Sequence, residues 1–171
     1  MPAAELAALG VGAVAAVWDL RFRRIPRWLT VPTLLLGLAW HAWQGGLASA
    51  FLAAAAGLSL GLLLLMLGAI GGGDAKLLAA LGALLGLPLW CWTIAIGFMA
   101  AALTAVLQLA RQGRIGFLPD DLAAIVHGWR QFGLKPHPER NVNAPGAVTA
   151  PFAVSLAIGV FAAVLLPMLA R

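Results

Sequence analysis

Two aspartates are the residues of this chain best suited to chemistry. The sequence has six acidic residues, which are Glu5, Asp19, Asp74, Asp120, Asp121 and Glu139. Only Asp19 and Asp74 fall at the ends of apolar segments, where an ionisable group is costly and is by default a functional candidate. Two carboxylates in one site can serve as general acid and general base. Structural roles compete with this interpretation, because Asp19 can pair with a nearby arginine and Asp74 can cap a helix.

A metal or another cofactor is not expected. The three histidines, His41, His127 and His137, are scattered, and Cys91 is the single cysteine. The chain therefore has no histidine pair at ligand spacing and no multi-cysteine set of the kind that holds zinc. We interpret Cys91, inside an apolar run, as a small buried hydrophobe.

The elements that must position these aspartates are membrane helices. The chain is 63% hydrophobic and only 10% charged, and apolar runs cover 3–18, 28–43, 47–70, 77–110 and 149–170. In lipid such runs are helices, because a helix satisfies its own backbone hydrogen bonds. We predict an all-α, polytopic membrane helix bundle that forms one domain over residues 1–171, with the first helix retained because no cleavage site follows it. The net charge of +5 is assigned to membrane topology, and no nucleic-acid partner is expected.

The fourth apolar run is too long for one membrane span. As a single helix, residues 77–110 would extend roughly 51 Å, against a hydrocarbon core of about 30 Å. Gly86-Leu87-Pro88 offers a place to turn, since glycine permits unusual dihedral angles and proline disfavours helix at the residue before it. The run then divides into a short helix over about 77–87, sheltered by its neighbours, and a longer one over about 89–110, which gives six transmembrane helices.

The distribution of basic residues agrees with six helices and an N-terminus outside. The cytosolic segments would be 19–27, 71–76 and 111–148, and they hold every lysine and arginine except Arg171. A five-helix arrangement would place Lys76 and the basic 111–148 segment on opposite faces, which fits the positive-inside rule less well. Both aspartates then face the cytosol, and both termini lie on the periplasmic side.

The cytosolic segment 111–148 contains one further predicted helix, over about 119–132. Leu122, Ile125, Val126, Trp129 and Phe132 recur there at helical spacing. The pattern is typical of an amphipathic helix at the membrane surface, where it can act as an interfacial prop against lipid headgroups or as a docking site for substrate.

Asp74 follows three consecutive glycines, Gly71, Gly72 and Gly73. Such a run lowers helix stability and permits close backbone approach, either to a partner helix or to an extended peptide beside the carboxylate. A flexible turn is the plainer alternative. Lys76 can contact substrate, tune Asp74 or anchor the topology.

Three segments together resemble the type IV prepilin peptidases, a family of GxGD aspartic membrane proteases. Residues 71–82 are similar to the family's signature around its second aspartate, residues 19–27 to the segment around the first, and residues 150–159 to the Pro-aromatic segment that opens the last helix. The resemblance implies an aspartic endopeptidase with Asp19 and Asp74 as catalytic residues. It also implies a set of residues that bind substrate or support the dyad: Gly71, Gly72, Gly73, Lys76, Arg24 and Pro26.

The resemblance further implies a substrate and a location. The substrate would be a prepilin or pseudopilin with a basic leader and a hydrophobic N-terminal helix, cleaved at the cytosolic face of the bacterial inner membrane, with lipid as the other partner. The small size is similar to that of the Flp/Tad-type (tight-adherence) peptidases. The paired cysteines of the larger bifunctional members are absent, so N-methyltransferase activity is not expected, and Arg27 stands where the family usually has asparagine.

Peptide hydrolysis explains why two carboxylates would be needed. Like charges held close cannot both ionise cheaply, so the pair should share one proton, with one carboxylate as base and the other as acid. A helix dipole favours an anion at the N-terminus and disfavours it at the C-terminus. Because Asp74 begins a helix and Asp19 ends one, we predict Asp74 as the base and Asp19 as the acid.

Two other classes of function stay open at this point. Carboxylates in broken membrane helices also build the ion sites of transporters, which would predict inverted repeats and carboxylates near the bilayer midplane. A catalytically inert membrane scaffold of a secretion apparatus would predict that either aspartate can be replaced without loss of function.

Overall fold

The computed structural model describes residues 3–113, 116 and 151–169, with side chains up to 166 in the last range. The described residues form five α-helices and no strand: α1 (Ala3–Phe22), α2 (Arg27–Trp43), α3 (Leu47–Met66), α4 (Gly72–Arg111) and α5 (Phe152–Leu169). The all-helical prediction is confirmed for this part of the chain. The predicted amphipathic helix over 119–132 lies outside the described residues.

Three of these helices, α1, α3 and α4, are long and apolar enough to cross a membrane. Many large side chains on the outside of the bundle are exposed and apolar, among them Leu36 and Met99. A surface of this kind suits lipid rather than water. The helices support a membrane protein, although α2, with 17 residues, falls short of the length of a typical span.

Helix α4 is broken at the predicted position. Gly86 has φ 70° and ψ 170°, a conformation essentially confined to glycine. Trp90 Nε1 donates a hydrogen bond to the carbonyl of Leu78, 3.2 Å away. In a straight helix these two residues would be about 18 Å apart, so the chain reverses direction at Gly86.

Polar side chains from α2 and α3 bond backbone groups that this break exposes. The Ser49 hydroxyl accepts a hydrogen bond from the Leu87 amide at 2.9 Å, and His41 Nε2 lies 3.1 Å from the Leu84 carbonyl. The Ser49 hydroxyl takes the place of a helical acceptor for the Leu87 amide. The Leu84 carbonyl would lack a helical donor even in a continuous helix, because the residue four positions on is Pro88, which has no N–H. Both bonds fix the end of the first half of α4 to the two helices beside it.

The first half of α4 is the centre of the bundle. Ala75 and every residue from 77 to 86 are buried, which agrees with the prediction that a short helix here must be sheltered by its neighbours. Its start was predicted wrongly, because α4 begins at Gly72 rather than at about residue 77. The glycines had been assigned to a cytosolic connection, but Gly71 is the N-cap of α4, and Gly72 and Gly73 form the start of the helix, where Gly73 packs against Ile25.

Glycines on neighbouring helices allow this central helix to be approached closely. Added Cβ atoms at Gly57 and Gly61 of α3 would lie 2.6 Å from the Leu78 carbonyl oxygen and the Ala75 Cα, respectively. Interfaces of small residues let membrane helices pack closely where no hydrophobic force drives them together. This pair therefore packs within the chain, against the part of α4 that carries Asp74.

Candidate active site

Asp19 belongs to the buried face of α1. The residues of this face recur every three or four positions: Ala4, Ala8, Gly12, Ala15 and Asp19. This face packs against α5, where Gly12 lies against Ala157 and Val160. Asp19 is thus buried because it lies on the same face of α1 as the buried alanines, and the residue is 9% exposed.

The first turn of α5 holds the Asp19 carboxylate. The backbone amide of Ala153 donates a hydrogen bond to Asp19 Oδ2 over 3.3 Å. Free amides at a helix N-terminus, together with the helix dipole, make such a position favourable for an anion. Arg23 also acts electrostatically on Asp19, in line with the alternative that an arginine partners this carboxylate.

The turn that ends α1 places the backbone of Arg23 next to that of Asp19. Arg23 has φ 49°, in the left-handed region, and its amide donates a hydrogen bond to the Asp19 carbonyl at 2.8 Å. The connection then leads through Ile25 to Pro26, whose extended conformation precedes α2. Trp18 and Trp28, on either side of the turn, contact edge to face with centroids 5.5 Å apart.

Asp74 lies in the first turn of α4. Its Oδ2 accepts a hydrogen bond from the Gly71 amide at 3.1 Å, the side-chain half of a capping box. Its Oδ1 is buried and has no hydrogen-bond partner among residues 3–113 and 151–169. The capping role proposed as an alternative is therefore real, but it occupies only one of the two carboxylate oxygens.

The two carboxylates lie at the same end of the bundle, and Asp19 acts electrostatically on Asp74, less strongly than burial and the Gly71 amide do. Each also accepts a hydrogen bond from a backbone amide at a helix N-terminus, Asp74 from that of α4 and Asp19 from that of α5. The predicted division into base and acid considered only the helix to which each aspartate belongs. The bond from the Ala153 amide removes the physical basis of that assignment, because each carboxylate now lies at the N-terminal end of a helix dipole.

The three glycines before Asp74 have different surroundings. An added Cβ at Gly73 would lie 3.0 Å from Ile25 Cβ and 3.2 Å from its nitrogen, whereas one at Gly72 would meet nothing within 4 Å. At Gly71 it would meet only the Asp74 carboxylate, at 3.4 Å. Gly73 therefore lies close to the backbone of the α1–α2 connection, which is neither the partner helix nor the extended peptide that the sequence suggested; a role of these glycines toward a substrate stays a prediction.

The other residues predicted to support the dyad lie around this site at the same end of the bundle. Pro26 is the N-cap of α2, and its carbonyl accepts hydrogen bonds from the amides of Leu29 and Thr30. Lys76, in the first turn of α4, and Arg24, in the α1–α2 connection, are exposed. Their roles toward a substrate stay predictions.

Sequence reasoning missed Ala153 and Ile25 as parts of the site. Ala153 acts through its backbone, so its residue type carries no chemical signal, although the segment that contains it was one of the three that resemble the peptidase family. Ile25 acts by its proximity to Gly73. Among the described residues, no group of three or more potential ligands could hold a metal ion.

Comparison with known proteins yields one match. The sequence model of the type IV leader peptidase family matches residues 6–107, more than half of the chain. The matched range contains both aspartates, the connection between α1 and α2, and all but the end of α4. No curated protein and no solved structure matches the chain significantly.

Proposed function

The chain belongs to the type IV leader peptidase family, and on that premise we propose that it is a prepilin leader peptidase with Asp19 and Asp74 as its catalytic dyad. It cleaves the basic leader from prepilins or pseudopilins at the cytosolic face of the bacterial inner membrane. The observation that carries the proposal is that the fold brings these two carboxylates to the same end of the bundle. Asp19 is buried at the end of α1, and Asp74 lies in the first turn of α4, which packs against the α1–α2 connection through Gly73 and Ile25.

In this site the dyad hydrolyses a peptide bond without a cofactor. One carboxylate is ionised and accepts a proton from water as the water oxygen forms a bond to the scissile carbonyl carbon. The other is protonated and donates to the carbonyl oxygen. When the tetrahedral intermediate collapses, the C–N bond breaks and the amine leaves with a proton. The unoccupied Asp74 Oδ1 is an acceptor that such a cycle requires.

We infer the placement of the substrate from the basic residues near the dyad and from the level of the dyad in the membrane. Arg24 and Lys76, exposed beside the dyad, mark this end as cytosolic under the positive-inside rule. With α4 reversing at Gly86, six spans put the N- and C-termini in the periplasm. A prepilin helix in the membrane would then bring its cytosolic leader junction to the level of the dyad.

Cleavage of a co-expressed Flp-type prepilin tests the proposal. Asp19→Asn and Asp74→Asn should each reduce leader removal by about 10²–10⁴-fold, the range expected for loss of a general acid or base. Glu5→Gln is the matched control, since Glu5 lies on α1 at the opposite end from Asp19. It should cleave normally, and immunoblotting should show equal membrane abundance of all variants.

The alternative functions predict different outcomes. An inert scaffold requires that the prepilin be processed equally with and without the chain. If either asparagine variant processes the pilin at the normal rate, the two-carboxylate mechanism is wrong and a transporter becomes the better explanation.

A further inference from the structure

Thr30, in the first turn of α2, has a buried hydroxyl without a partner. The residue is 2% exposed, and Oγ1 accepts and donates no hydrogen bond among the described residues. Burying a hydroxyl without a partner is costly, so such a group ordinarily binds water or a ligand. Asp74 Oδ1 and Thr93 Oγ1 are the other buried side-chain atoms of the described residues in this condition.

The usual local partner of Thr30 is already occupied. A helical threonine often bonds the carbonyl four residues back, and Thr33 does so, with its Oγ1 donating to the Leu29 carbonyl at 2.6 Å. For Thr30 this carbonyl belongs to Pro26, which already accepts the amides of Leu29 at 3.2 Å and Thr30 at 3.5 Å. A carbonyl oxygen has two lone pairs, and both are used. The Thr30 hydroxyl makes no bond within its own helix, which leaves it free to bind a group outside that helix.

The packing of α2 on α4 sets the position of Thr30 along the axis of α4. Gly73 lies against Ile25, and Gly37 lies against Ala83 and Leu84, so α2 and the first half of α4 run in the same direction. Interpolating between these contacts places Thr30 level with residues 77–78, about one helical turn from Asp74 along the axis. Thr30 also shares the buried face of α2 with Gly37, the face that packs on α4.

We propose that the Thr30 hydroxyl is a positioning group for the nucleophilic water at Asp74, an inference that rests on the proposed peptidase function. The water donates one hydrogen bond to Asp74 Oδ1 and the other to Thr30 Oγ1, which leaves a lone pair directed at the scissile carbonyl carbon. On attack the C–O bond forms, the proton passes to Asp74, and Asp19 donates its proton to the carbonyl oxygen. Both buried atoms at this end of the bundle are then satisfied, and Asp74 is the base.

Purified full-length protein in detergent, assayed with a synthetic prepilin, tests this role. Thr30→Val keeps the shape of the side chain and removes the hydroxyl. It should lower kcat about tenfold, the rate equivalent of one ordinary hydrogen bond, with KM within about twofold. Thr30→Ser restores the hydroxyl and should recover most of kcat.

Two other threonines provide matched controls. Thr33→Val removes a hydroxyl that bonds only its own helix. Thr93→Val removes an equally buried, unpartnered hydroxyl. The backbone carbonyl of Thr93 lies against Gly159, six residues or about 9 Å along α5 from the Ala153 amide. Both variants should keep kcat within about twofold of the wild type.

The outcomes separate this inference from the function on which it rests. If Asp74→Asn is inactive while Thr30→Val retains full kcat, the dyad stands and the role of Thr30 is refuted. An equal loss in Thr93→Val would also refute it, because a general packing effect would then explain both. If Asp74→Asn is active, the proposed function itself fails. Thermal unfolding in detergent identifies folded variants, and Thr30→Ala takes the place of Thr30→Val if the latter is unfolded.

Discussion

Adding one methyl group at Gly73 should disturb the site, whereas the same change at Gly72 should not. At Gly73 the new Cβ would lie 3.0 Å from Ile25 Cβ, against about 3.5–4.0 Å for an unstrained contact between carbon atoms. The α1–α2 connection or the first turn of α4 must then move by roughly half an ångström. Each of these segments adjoins one aspartate, so the displacement changes the separation of the two carboxylates.

The expected change in stability of each variant follows from two opposing effects. Replacing a helical glycine by alanine stabilises a helix by about 1 kcal/mol, while overpacking costs about 1–3 kcal/mol. Gly72→Ala, with nothing within 4 Å, should therefore gain up to about 1 kcal/mol, and Gly73→Ala should lose about 0–2 kcal/mol. Because a 1 Å misplacement can cost about 10²-fold in rate, half an ångström should lower kcat about tenfold in Gly73→Ala alone.

Leader cleavage and thermal unfolding, measured on the same detergent preparations, check both parts of this prediction. Each variant is compared with the wild type at equal protein concentration and with a saturating prepilin substrate. Equal cleavage rates and equal unfolding temperatures for the two variants would refute the reasoning, since the contact with Ile25 would then constrain neither the fold nor the dyad.

Three further perturbations test the framework around the site. Gly61→Ala places a Cβ 2.6 Å from the Ala75 Cα and should lower the unfolding temperature and membrane abundance, while Gly10→Ala, with no neighbour within 4 Å, should lower neither. Trp90→Phe loses the hydrogen bond across the break in α4 and should destabilise the protein by about 1 kcal/mol, measured by thermal unfolding, with normal cleavage by the folded protein. Ser49→Ala leaves the amide after Gly86 without its acceptor and should cost about 1–3 kcal/mol; unchanged unfolding would show that this bond does not stabilise the break.

Much of the architecture could be predicted because it depends on local chemistry. Lipid requires helices wherever an apolar run is long enough, and Gly86 before Leu87-Pro88 marks the break in α4 because few residues other than glycine adopt its dihedral angles. The start of α4 was predicted wrongly because the propensity of three glycines argues against helix. Burial of Ala75 and residues 77–86 against the neighbouring helices overrides that propensity.

The sequence by itself singled out the two carboxylates on which the proposal rests and the membrane character that makes them conspicuous, because few acidic residues adjoin apolar helices and the motifs around these two are specific. Only the tertiary structure decided what surrounds them. The amide of Ala153 reaches Asp19 from 134 residues away, and Ile25 explains why Gly73 is constrained while Gly72 is not. The surroundings of Thr30 likewise depend on the register of α2 against α4. Such contacts are set by how helices pack, and packing joins residues whose separation along the chain carries no local signal.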